Sequence, residues 1–162
     1  MNVTVTRITV KYLADKACSF TANREVHPDL GKLYKAEHSP IRTQMFWVEM
    51  TGIPTFCSVH LVRHKFGVEH FVKSNREDLP GFTGDGGRMQ PVNHAMLLNA
   101  QALINMARKR LCRKTHAITR DIMKLICLGV LEVDPDLYPC LVPECEYRGK
   151  CHEMKPCGRM GE

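Results

Sequence analysis

Residues 2–13 alternate apolar and polar side chains, with Val3, Val5, Ile8 and Val10 set among Thr and Arg. A two-residue period predicts a half-buried strand, and the slip in the pattern near Arg7 predicts a bulge. Residues 14–40 are polar and carry turn formers, so they read as a connection. Residues 42–50, with Phe46, Trp47 and Val48, read equally as a strand or as a helix opened by Ser39-Pro40. Thr51-Gly52-Ile53-Pro54 is expected to break that element. Pro54 suits the first position of a helix, and Phe56, Val59, Val62 and Phe66 supply an apolar stripe up to Gly67. Residues 67–80 predict a loop or short strand. Residues 81–88, GFTGDGGR, hold four glycines and predict a mobile loop. From Pro91 to about Cys112, near-helical spacing of Ala95, Leu98, Ala102, Asn105 and Met106 predicts one long helix. Its last turns carry Arg108, Lys109 and Arg110, where cations suit the negative end of the helix dipole. A second helix is expected over about 115–128, stopped by Gly129, before Asp134-Pro135 turns the chain. The order predicts an α+β fold: a single mixed α/β domain over 1–133, followed by a small Cys-rich tail over 134–162.

Composition narrows the function classes. A chain of 162 residues makes one domain with at most a small appendage. Hydrophobic residues at 44% and charged residues at 25% exclude a disordered chain. No apolar run approaches the roughly 20 residues a membrane-crossing helix needs. The N-terminus shows no apolar signal-type stretch, so a cytoplasmic location is expected. Lys and Arg number 23 against 17 Asp and Glu, a net charge of +6, which points to anionic partners. The basic residues sit in HLVRHK (60–65), RKRLCRK (108–114) and RGK (148–150), each mixed with apolar residues, as charge on folded elements would be. Neither GxGxxG nor GxxxxGK[ST] is present.

Three constellations carry chemistry. Arg63-His64-Lys65 closes the 54–67 segment, and Lys73, Ser74 and Arg76 follow about ten residues on. Guanidinium, ammonium and hydroxyl groups on two such segments can hold a polyanion, although a solvated basic helix end has the same pattern. Arg110 and Arg120 lie ten residues apart across a helix junction, where they either converge on one anion or remain surface charges. Of eight cysteines, Cys140, Cys145, Cys151 and Cys157 crowd into the last 23 residues. Four thiolates can close a tetrahedral zinc site. An iron–sulfur cluster, or free or disulfide-linked thiols, are the alternatives.

Taken together, these segments resemble the flavin-dependent thymidylate synthase family (ThyX). Glu37-His38 looks like the family's EH element. Ser58-Val59-His60-Leu61-Val62-Arg63-His64-Lys65 is similar to its S-H-Q-L-V-R-H-R. The family's RHR, seven residues and a serine becomes here RHK, eight residues and Ser74-Asn75-Arg76. Asn99-Ala100-Gln101-Ala102-Leu103 looks like its N-A-R-x-L helix, and His116-Ala117-Ile118-Thr119-Arg120 stands in place of A-Q-W-E-I-R. The resemblance spans roughly residues 37–128.

The resemblance implies methylation of dUMP at C5 to dTMP, with carbon from methylenetetrahydrofolate and a hydride from NADPH through FAD. It implies a homotetramer with active sites shared between subunits around a mixed α/β core. Carried over, His38, Arg63, His64 and Lys65, with Arg110, would meet the flavin. Ser74, Arg76 and Arg120, with His60 and Lys73, would hold the nucleotide. Four positions depart from the family pattern: Lys65 replaces Arg, His60 replaces Gln, Gln101 replaces Arg, and strict register puts Lys73 in the serine's place. The Cys-rich tail looks like something seen in diverged, phage-encoded relatives. A homologue that binds without catalysing, and a basic zinc-containing nucleic-acid-binding module, are the competing readings.

Overall fold

The computed structural model describes residues 1–82, 84 and 86–160; of the glycine-rich segment, Thr83 and Asp85 lie outside the described residues. Among the described residues, four strands form one antiparallel sheet: β1 Asn2–Arg7, β2 Met45–Pro54, β3 Val68–Val72 and β4 Pro91–Asn99, in spatial order β1-β2-β4-β3. The register pairs Val5 with Val48, Val48 with Met96, and Val68 with Leu98. One face therefore collects Phe46, Val48, Met50, Met96 and Leu98, all buried. The opposite face carries Trp47, Glu49, Ala95, Leu97 and Phe71, half-buried or exposed. Trp47 and Phe71 pack there with ring centroids 5.4 Å apart.

The helices are α1 Tyr12–Ala22, α2 Leu30–Ala36, α3 Thr55–Leu61, α4 Ala100–Arg110, α5 Ala117–Val133 and α6 Glu144–Arg148. Leu103, Ile104, Met106, Ile122, Met123, Ile126 and Val130 of α4 and α5 join the sheet's inner face in one core.

Several expected elements change. The first strand ends at Arg7 rather than running to residue 13. Thr9 tethers the exit, its hydroxyl donating to the Thr43 carbonyl and accepting from the Met45 amide, both at 2.8 Å. The expected connection over 14–40 holds two helices instead. α1 buries Ala14 and Cys18, one turn apart, and α2 is capped by Asp29, whose carboxylate accepts from Lys32 N–H at 2.7 Å. The ambiguous 42–50 segment is strand, and it passes through Thr51-Gly52-Ile53-Pro54 on a register shift, with Gly52 at φ 67°. α3 stops at Leu61, leaving Phe66 at 92% exposure. The long helix expected from Pro91 is a strand followed by α4. In β4, Val92, His94, Met96 and Leu98 turn inward, and Asn99 caps α4 by accepting from Ala102 N–H at 2.9 Å.

α5 runs through Gly129 to Val133. Here glycine provides space, not a stop: a Cβ would sit 2.6 Å from Val5 Cγ2 on β1. Gly129→Ala gains about 1 kcal/mol of helix propensity but loses about 1–3 to overpacking. We expect Gly129→Ala to destabilise the wild-type chain and to stabilise a Val5→Ala background. Urea unfolding of the four proteins measures both signs; destabilisation in both backgrounds would sink the close-contact account.

Residues beyond 133 begin inside the core. Asp134, Leu137 and Leu141 are buried. Asp134 accepts a 2.7 Å hydrogen bond from the Tyr34 hydroxyl and lies 3.3 Å from the Arg7 guanidinium. Arg7 also donates to the buried Gln44 side chain at 2.6 Å. Further on, the Arg108 guanidinium sits 3.5 Å from the Tyr147 ring centroid. Tyr147→Ala is expected to cost about 1 kcal/mol and to speed proteolysis within 142–160. Unchanged cleavage would show that Tyr147 does not anchor the tail.

Candidate functional site

α3 and the turn after it supply the first half of the site. Phe56, Cys57, Ser58 and Leu61 are buried, which turns His60 and Arg63 to the outer side of this short helix. α4 crosses with Arg110 at its end. Arg110 Nε donates to His64 Nε2 at 2.9 Å, and its Nη2 donates to the His60 carbonyl at 2.5 Å. Both acceptors are neutral, so the cation is held without a carboxylate. Burial and the neighbouring Arg63 push Arg110 below its ordinary pKa.

His64 is neutral for a geometric and an electrostatic reason. Its Nε2 accepts from a guanidinium, which leaves the proton on Nδ1. Burial, then Arg110 and His70, lowers its pKa from 6.5 to about 4. His60 is also held below its ordinary value, by burial first and then by Arg110, Arg63, His116 and Arg88. Its Nδ1 lies 3.0 Å from Thr119 Oγ1, whose hydroxyl donates to Cys57 Sγ at 3.3 Å. Those two bonds place the His60 proton on Nδ1 and leave Nε2 as an acceptor. Phe56 forms the apolar floor: the His116 ring lies 4.6 Å from it edge-on, and the Arg88 guanidinium lies 5.2 Å from its centroid.

The cluster thus holds Arg63, Arg88, Arg110, His60, His64 and His116. Among the described residues, none of its three arginines has a carboxylate partner. Unbalanced guanidinium groups beside an aromatic floor can bind a phosphate-bearing ring.

Other residues expected at the site lie elsewhere. Lys65 is exposed beside the cluster, and His38 is exposed ahead of the 3-10 turn Ser39–Thr43. Its neighbour Glu37, at φ 51°, pairs with Arg108 and accepts from Gln101 Nε2 at 2.6 Å. Burial opposes ionisation of Glu37, but these hydrogen bonds hold its carboxyl below the usual range. Lys73, Ser74 and Arg76 are exposed beyond β3. Arg76 is engaged with Asp78 at 2.6 and 2.9 Å, and among the described residues no hydrogen bond or ion pair joins the three to the cluster. Arg120 is engaged elsewhere. It donates to the Arg113 carbonyl at 3.0 Å and lines a separate cavity of about 660 Å³ with Lys124, Tyr138 and Arg159.

The tail thiols do not gather as a four-thiolate zinc site requires. Cys140 lines a cavity with Glu37 and Arg108, whereas Cys145 and Cys151 line another with His152. Among the described residues, no three His, Cys, Asp or Glu side chains converge as metal ligands. The donor set does not fit a metal in this arrangement, and all eight cysteines are free thiols.

Sequence reading missed Arg88, Phe56 and His94 as site residues. Arg88 lay in the glycine-rich segment without a motif. His94 had a usable signal: in the alternation Val92, His94, Met96, Leu98 it is the one polar residue on the buried face.

An antiparallel sheet with one face covered by α3, α4 and α5, and a cationic turn beyond α3, define a mixed helix–sheet fold of the flavin-dependent thymidylate synthase type. Thymidylate Synthase X (ThyX) from Helicobacter pylori, solved with FAD and dUMP, matches it at a TM-score of 0.70 and 16% identity, covering 87% of this chain and 99% of that one. A second structure from that organism, also complexed with FAD and dUMP, gives 0.72 at 15% identity, covering 88% and 100%. The UMP/dUMP methylase PolB from Streptomyces cacaoi, bound with 5-Br dUMP, gives 0.63 at 14% identity, covering 86% and 94%. No protein-family model and no curated protein matches the sequence. Among the described residues, no helix is long and apolar enough to cross a membrane.

Proposed function

We propose that the chain binds a pyrimidine deoxynucleotide and a flavin at the cluster around His60 and transfers a one-carbon group to pyrimidine C5, dUMP to dTMP by default. The observation that carries this reading is the set of arginines that have no carboxylate partner among the described residues, Arg63, Arg88 and Arg110, on a fold shared with enzymes solved with FAD and dUMP. Arg110, half-buried and held only by neutral acceptors, with Arg63 and Arg88 exposed beside it, favours an incoming phosphate. That electrostatic demand fits the diphosphate of FAD, and Arg63, Arg88 and Lys65 are the residues that would hold it, with His38 at the margin. When bound, the flavin supplies the hydride that reduces the transferred carbon, with NADPH as its reductant and methylenetetrahydrofolate as the carbon source.

The chain's own residues orient and polarise. Arg110 fixes the His64 ring and the His60 carbonyl. His60, in place of the family's glutamine, offers Nε2 as an acceptor that matches the N3–H of a uracil ring and not the bare N3 of cytosine. The surrounding cations would stabilise the electron-rich form of the ring, with negative charge on its carbonyl oxygens, from which C5 attacks.

Lys73, Ser74 and Arg76 lie outside this cluster within one chain. A neighbouring subunit of a homotetramer would present them, along with Arg120 from its own cavity, to complete a shared nucleotide site. Binding without catalysis is the second reading, and Gln101 favours it: where the family carries a substrate arginine, this side chain is spent on anchoring Glu37.

The test is whether the protein retains the flavin's visible absorbance after incubation with FAD and gel filtration, and then whether NADPH oxidation depends on dUMP. Arg63→Ala and Arg88→Ala are each expected to weaken FAD or dUMP binding about 10–100-fold, the loss of one charge-assisted contact. Retained flavin with no dUMP-dependent turnover selects the second reading. No retained flavin and no dUMP binding sinks both.

A further inference from the structure

Three side chains outside the cluster run in one line through the core behind it. Ser58 Oγ on α3 lies 3.0 Å from His94 Nδ1 on β4. His94 Nε2 lies 3.0 Å from His70 Nδ1 on β3. His70 Nε2 lies 2.7 Å from the His64 carbonyl in the turn after α3. The sheet register makes this reach possible. His70 pairs with Met96 and Val72 with His94, so the two histidines are diagonal neighbours on the buried face. Ser58 and His94 are 4% and 1% exposed, so water does not replace these bonds.

The direction of every bond follows from its end. A carbonyl oxygen only accepts, so His70 carries its proton on Nε2. With that proton on Nε2, His70 accepts at Nδ1, which requires His94 to donate from Nε2. Neutral His94 accepts at Nδ1, which requires the Ser58 hydroxyl to donate. Burial keeps His94 neutral. Each ring is therefore confined to one tautomer.

We propose that Ser58, His94 and His70 form a one-directional hydrogen-bond chain that positions the Arg63-His64-Lys65 turn, with His70 and His94 as positioning residues for the anion cluster. The chain grips the His64 backbone from the core side while Arg110 grips the His64 ring from α4. The turn is thus held from two elements at once, and Arg63 and Lys65 on either side of His64 inherit its orientation. The link to ligand binding rests on the reading of the cluster given above; the positioning of His64 does not.

Ring 15N NMR of the full chain at neutral pH tests it. His70 and His94 are each expected as the Nε2–H tautomer and His64 as the Nδ1–H tautomer. His70→Leu cuts the chain, and the His64 ring is expected to become a tautomer mixture. His70→Gln restores an N–H donor and an oxygen acceptor, and is expected to return His64 and His94 to single tautomers. FAD affinity is expected to fall at least tenfold in His70→Leu and to recover within threefold in His70→Gln. An Nδ1–H tautomer at His94 in the unmodified protein, which needs no variant to observe, would overturn the chain. So would a His64 ring unchanged in His70→Leu. If the unmodified protein shows the expected tautomers and binds no FAD, the flavin reading fails while the chain stands.

Discussion

Asp134→Ala is expected to lower unfolding free energy by about 3–5 kcal/mol, the range for removing one partner of a buried ion pair. Asp134 is 1% exposed and is the shared acceptor of Arg7 and Tyr34. Its removal leaves the buried Tyr34 hydroxyl without its acceptor and the half-buried Arg7 guanidinium without its carboxylate. The same proximity and burial push the Tyr34 hydroxyl well above its ordinary pKa. Tyr34→Phe deletes a single neutral donor and is expected to cost about 1–2 kcal/mol. The contrast has a structural consequence: these three residues tie β1, α2 and the end of α5 together. The test is the urea midpoint at constant slope. A loss below about 1 kcal/mol for Asp134→Ala would mean that the cluster is not what closes this end of the core.

Acidification is expected to produce the other large effect. His64 and His94 are each lowered from 6.5 to about 4, by burial first and then by Arg110 and His70 for His64 and by His70 for His94. The folded state keeps both rings neutral, whereas the unfolded chain takes up protons below about pH 6.5. Their stabilising contribution is therefore full above pH 6.5 and is lost progressively as pH falls toward 4. Each ring contributes about 3 kcal/mol at the limit. Thermal melts at pH 7.5 and 4.5 are expected to differ by ten degrees or more, on the scale of about 4 °C per kcal/mol or less for a chain of this size. His94→Gln, which has nothing to titrate, is expected to flatten about half of that dependence. A dependence of equal steepness in His94→Gln would assign the acid sensitivity to other groups.

Some of the architecture was legible along the chain, and the reasons differ by element. β1 was visible because its alternation is local and one of its faces is half-buried. α5 was visible because Ile122, Ile126 and Val130 repeat with helical spacing. β4 and α4 merged into one predicted helix because Ala95, Leu98 and Ala102 satisfy a helical spacing across a strand–helix junction that Asn99 marks only by its cap. α1 and α2 were missed because each buries just two or three side chains, too few to stand out from polar surroundings. The site divides in the same manner. Arg63 and Arg110 were named as cations, and His64 as part of the contiguous Arg63-His64-Lys65 motif. Arg88 and His94 had no local motif and reach the site through loop and sheet geometry.

By itself the sequence determined a basic chain of mixed class, with an arginine–histidine–lysine turn beyond a short helix and thiols clustered near the end. Composition, charge and local periodicity are properties of neighbouring residues, so they survive without a fold. Only the tertiary structure decided which charges lack partners, which histidines are kept neutral, and that Arg120 and the 73–76 loop stand apart from the cluster in one chain. It also placed Cys140 in a different cavity from Cys145 and Cys151, which sequence proximity had grouped with it. Those outcomes depend on contacts between residues tens of positions apart, and on the burial that sets the strength of each charge.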